Sequence, residues 1–60
     1  SLRTEVRQYL LSVGSATATT VAKALARNRS NVASLLASDK EFQVVRKDQN
    51  QVFYGVGVLP

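Results

Sequence analysis

The chain contains neither cysteine nor histidine among its 60 residues. That double absence removes disulfide staples, zinc-ligand spacings, thiol nucleophiles and the imidazole base on which much acid–base chemistry depends. Acidic residues are scarce as well, being only Glu5, Asp39, Glu41 and Asp48. These carboxylates are scattered and no nucleophile is paired with a base, so an enzyme has nothing to stand on, and neither a metal nor a cofactor is expected. Long hydrophobic runs are missing too. The longest spans a few residues and cannot cross a bilayer, and the sequence shows neither a signal peptide nor a transmembrane helix. No internal repeat, linker or low-complexity tract interrupts it. The chain begins at Ser1 without Met and ends at Pro60 just beyond a strand-like run, so residues 1–60 are expected to be a single domain excised from a longer protein.

What is present is an apolar share of 45%, enough for a small core, and a marked excess of positive charge. A domain this short buries a modest part of its surface and is marginally stable, so a deep catalytic cleft is not expected. Eight Lys plus Arg against four Asp plus Glu give a formal charge of +4, an imbalance that suits a polyanionic partner. The distribution is more informative than the total. Between Ser15 and Ser38 the bases Lys23, Arg27 and Arg29 occur without a single acid.

Hydrophobic spacing predicts three helices. Leu2, Val6, Tyr9, Leu10 and Val13 recur at helical intervals, and Gly14 follows where a left-handed residue would end the helix. Ser15 to Thr17 is too short to be an element of its own. Thr17 is placed to cap a second helix carrying Val21, Ala22 and Leu25, and Asn28 to cap a third carrying Val32, Leu35 and Leu36, which fades around Ser38 to Lys40. The period then changes. EFQVVRK and QVFYGVGV are rich in β-branched and aromatic residues and flank the polar DQNQ, which predicts a β-hairpin. If Lys47 pairs with Val52, one face carries Gln43, Val45, Lys47, Val52, Tyr54 and Val56 and the other Phe42, Val44, Arg46 and Phe53; both hold apolar groups, so either could pack inward. Gly55 and Gly57 weaken the second strand and mark a bulge or a close approach to a helix.

An α+β chain of three helices followed by a hairpin, the second and third helices joined by a very short turn, resembles the winged helix-turn-helix family. The likeness reaches individual residues in TATTVAKALARNRSNVASLL, from Thr17 to Leu36. Thr17 and Asn28 match capping positions, Val21, Leu25, Val32 and Leu36 match core positions, and Ala22 matches the small residue needed where two helices cross closely. With the first helix and the hairpin the resemblance covers nearly the whole chain. One departure is Ala26, where the family often has Gly: a left-handed conformation there costs Ala about 1 kcal/mol relative to Gly, so the turn is expected to differ in shape. The family's Z-form DNA readers place Asn just after the position of Val32, Tyr further along the helix and prolines in the wing. This chain has Ala33, Leu36 and no wing proline, which sets that variant aside.

The resemblance implies double-stranded DNA as partner, with the third helix in the major groove and the hairpin wing on the backbone. The stretch NRSNVASLL fits that role, since Asn28, Arg29, Ser30, Asn31 and Ser34 are short polar or basic groups beside an apolar stripe. Arg29 is suited to guanine O6 and N7 and Asn31 to adenine N6 and N7, each contact being worth roughly 1–3 kcal/mol of discrimination. Ser30 and Ser34 would contact bases or phosphates over a shorter reach, and Asn28 is explained by capping first and base reading second. Lys23 and Arg27 are better placed for phosphate. Arg46, Lys47, Gln49, Asn50 and Gln51 could reach backbone or minor groove, although Asp48 works against it. Backbone N–H groups near Thr17 and Thr19 form a further phosphate site. The expected protein is therefore the DNA-reading part of a transcriptional regulator or other DNA-associated protein, located inside the cell at the nucleoid or nucleus and without membrane attachment. The rival is a winged-helix protein-interaction or oligomerisation module, for which exposed Leu11 or outward Val45 and Tyr54 would supply an adhesive patch. Single-stranded nucleic acid ranks third because the aromatics look committed to the core.

Overall fold

The computed structural model describes residues 1–57. Element order is α1 (Leu2–Val13), β1 (Ala16–Thr17), α2 (Ala18–Leu25), α3 (Arg29–Ser38), β2 (Phe42–Asp48) and β3 (Gln51–Val56), an α+β fold with the layout of a winged helix. Val58, the last residue of the strand-like run, and Pro60 lie outside the described residues.

Local chemistry accounts for each helix boundary. The Ser1 hydroxyl accepts from the Thr4 N–H at 3.3 Å and starts α1, and Gly14, at φ 91, ends it by donating its N–H to the Leu10 carbonyl at 2.7 Å. Only glycine adopts such a φ without strain. Thr17 caps α2 by accepting from the Thr20 N–H at 3.2 Å, and the Asn28 carboxamide caps α3 by accepting from the Asn31 N–H at 3.1 Å. One buried stripe per helix then converges: Val6 and Leu10 from α1, Val21 and Ala22 from α2, Val32 and Leu36 from α3, closed by Ala16 and Phe42. Val13, expected in the first stripe, is the last residue of α1 and is 48% exposed.

The α2–α3 turn keeps its left-handed residue even though that residue is alanine. Ala26 has φ 55 and ψ 44, and its N–H donates to the Lys23 carbonyl at 3.3 Å while the Arg27 N–H donates to the Ala22 carbonyl at 3.0 Å. The altered turn shape expected from the lack of glycine is thus replaced by strain held at one residue, offset by the packing of two helices. Ala26→Gly is expected to stabilise the fold by about 1 kcal/mol, raising the melting temperature by roughly 4–8 °C in a domain of this size. A thermal melt followed by circular dichroism reads this directly, and an unchanged midpoint would show the residue to be unstrained.

Two expectations for the sheet need correction. Ala16–Thr17 is a short strand after all, pairing antiparallel with β3 through Ala16 opposite Tyr54 and Thr17 opposite Phe53, so the sheet has three strands in the order β1-β3-β2. Its two residues gain pairing partners from an open edge of β3 that local sequence does not display. The hairpin also carries an irregularity. Lys47 does pair with Val52, but between Val44 and Arg46 the register shifts, leaving Val45 as the extra residue of a β-bulge. Upstream of that point the faces exchange: Phe42 and Val44 lie opposite Val56 and Tyr54, and Phe42, Tyr54 and Val56 pack on the helices. Gly55 suits this arrangement, since a β-carbon there would crowd Val45 Cγ1 and the Gly14 carbonyl oxygen, each at 3.2 Å. The close approach anticipated from Gly55 is therefore to the end of α1, and the bulge is on the opposite strand. Gln49, at φ 54, turns the hairpin.

Candidate nucleic-acid interface

The core fixes the rotation of α3. With Val32 and Leu36 fully enclosed, a 3.6-residue turn sends Ser30, Asn31 and Ser34 to the opposite side, and all three are exposed. Arg29 is exposed for a different reason. It occupies the first position of α3, one turn before Val32 and on the same side of the helix, and reaches solvent because the helix begins there. Asn28 is committed as the cap, and its side-chain oxygen is engaged with the Asn31 N–H. The Ser34 carbonyl accepts from the Ser38 hydroxyl at 2.7 Å, and the Ser34 residue is exposed.

The start of α2 faces the hairpin tip across an open cleft of about 360 Å³, lined by Thr17, Thr19 and Thr20 from the one and Asn50, Gln51 and Tyr54 from the other. Thr17 is partly spent here, because it caps the helix and donates its hydroxyl to Thr20 Oγ1 at 3.0 Å. Thr19 remains exposed. Sequence reasoning missed the contribution of Thr20 and Tyr54 to this cleft; the first lies one residue past the predicted pair, and the second sits on a strand whose inward face the sequence left open, half-buried against the core.

Electrostatics are sharper than the composition implied. Every carboxylate side chain has a cationic partner: Arg3 contacts Asp39 and Glu41, each at 3.1 Å, Arg7 contacts Glu41 at 3.0 Å, Arg27 contacts Glu5 at 2.8 Å, and Arg46 lies 3.7 Å from Asp48. Four arginines thus balance four acids. Among the described residues the uncompensated side-chain cations are Lys23, Arg29, Lys40 and Lys47, and three of these belong to the contact set expected from sequence. The other two arginines of that set are engaged elsewhere. Arg27 is held by Glu5, and Arg46 stacks over the Phe53 ring with its guanidinium carbon 4.0 Å from the centroid. Lys47 and Gln49 stand exposed on the hairpin arm and tip.

No family model, curated protein or solved structure matches the chain.

Among the described residues no group of three or more His, Cys, Asp or Glu could hold a metal ion, and no helix is long and apolar enough to cross a membrane. Among the described residues the exposed large apolar ones are Leu11, Val13, Val44 and Val45. Val45 is 54% exposed, whereas Tyr54 is half-buried against the core, so these two do not form an outward patch together.

Proposed function

We propose that this domain binds duplex DNA as a winged helix-turn-helix, with α3 entering the major groove and the β2–β3 hairpin lying along the backbone. One observation carries the reading. Once internal ion pairs are satisfied, the remaining positive charge falls on Lys23, Arg29 and Lys47, with Lys40 beyond them, while α3 turns a ridge of short polar side chains away from the core. Short side chains let the helix backbone come close to base edges, and uncompensated cations replace the counterions of phosphate. In this reading Asn31 and Arg29 contact bases, Ser30 and Ser34 contact bases or phosphates, Lys23, Lys47 and the Thr17–Thr19 segment meet the backbone, and the domain serves a regulator or other DNA-associated protein without performing chemistry.

The isolated domain should bind weakly and lose affinity steeply with salt, because it can make only a few phosphate contacts. Useful specificity would come from a second copy or a neighbouring domain. A second reading rests on Leu11, Val13, Val44 and Val45, whose exposure suits docking of a protein partner. Amide chemical-shift titration with a random-sequence duplex at low salt separates the two. Perturbations are expected on residues 29–34 and at the hairpin tip, and silence there would reject DNA in favour of a protein partner. In the same assay Lys47→Ala should weaken binding to all duplexes alike and flatten the log–log salt dependence by about 0.9.

A further inference from the structure

Arg27 sits in the α2–α3 turn, one residue before the cap of the proposed recognition helix, yet its guanidinium is drawn away to α1, where Nη1 lies 2.8 Å from Glu5 Oε2. We propose that Glu5 is an intramolecular substitute for phosphate, a carboxylate that competes with the DNA backbone for Arg27 and so holds the affinity of the domain down. This inference rests on the DNA-binding reading and adds a regulatory element to it.

Three observations single out this pair. Glu5 is the acid whose ion pair reaches into the acid-free window from Ser15 to Ser38; the other carboxylates pair with Arg3, Arg7 and Arg46, which lie outside it. The pair is open to solvent on both sides, with Arg27 42% and Glu5 41% exposed, whereas Asp39 and Glu41 are enclosed at 19% and 14%. It is also a single-point contact, leaving the remaining guanidinium N–H groups free to begin an exchange before the first is released. An exposed ion pair of this kind is weak, so a phosphate of comparable reach can displace the carboxylate. When it does, the liberated Glu5 takes up a cation from solution and cancels part of the counterion release that favours binding.

The test is fluorescence anisotropy with a random-sequence duplex over a NaCl series, using the wild type, Glu5→Gln, Arg27→Ala and the double variant, each checked for folding by thermal melting. Glu5→Gln is expected to bind roughly two- to fivefold more tightly at low salt, and its log–log slope should steepen by up to about 0.9. Both gains should vanish in the double variant. An unchanged Glu5→Gln alongside a binding wild type would overturn the inference while leaving DNA binding intact. A gain that persists without Arg27 would also overturn it, by reducing Glu5 to a general repulsive charge. If none of the four proteins binds duplex, the DNA-binding reading falls, and this competition falls with it.

Discussion

Leu10→Ala is expected to remove a large part of the domain's stability and shift its melting curve far down, whereas Leu11→Ala, one residue later and chemically identical, should leave the curve nearly unmoved. Leu10 is 1% exposed and belongs to the central cluster; Leu11 is 65% exposed. Truncating an enclosed leucine forfeits transfer free energy and leaves a void, together about 2–5 kcal/mol. A domain of this length has only about 3–9 kcal/mol of total stability at typical values per residue. The loss is therefore a large part of the whole, and the midpoint should fall by 10 °C or more on the order-of-magnitude scale for small domains. The exposed neighbour should cost within about 0.5 kcal/mol. Thermal and urea melts of the two variants side by side check this, and similar losses in both would mean that α1 docks on the core through a different face.

Arg29→Ala should have the largest effect on binding. A bidentate contact to guanine contributes roughly 1–3 kcal/mol, so affinity for a preferred duplex is expected to drop by about five- to 150-fold, with a smaller drop on random DNA. Among the described residues Arg29 makes no ion pair, and it stands at the entry end of α3, so its loss breaks no salt bridge there. Asn31→Ala should behave similarly, since its side chain lies on the ridge while its backbone N–H remains held by Asn28. The measurement is a competition titration in which a duplex selected from random oligonucleotides is set against an unselected pool. Equal losses on both DNAs from Arg29→Ala, Asn31→Ala and Lys47→Ala would refute the division between residues that read bases and residues that anchor phosphates.

Much of the architecture was legible because its determinants are local. Thr17 and Asn28 cap helices with their own side chains, Gly14 supplies a φ that other residues avoid, and the buried stripes follow the turn of the helix. The paired Lys47 and Val52 were legible too, since a two-residue turn determines its nearest register. What escaped was set by partners far along the chain. The bulge side chain of Val45 lies close to Gly55 across the sheet, and the extra residue exchanges the faces of β2 upstream of it. The strand at Ala16–Thr17 exists because β3 offers an unpaired edge.

The candidate site divides along the same line. By itself the sequence determined the acid-free window, the polar residues flanking Val32 and Leu36, and the caps that start α2 and α3, because composition and helical spacing need no tertiary contact to act. Only the tertiary structure decided which charges are left over, since an ion pair between Glu5 and Arg27 joins residues 22 positions apart and is created by the docking of α1 against the turn. Packing, by choosing which acid meets which base, turned a diffuse excess of charge into four uncompensated side-chain cations among the described residues, each at a named place.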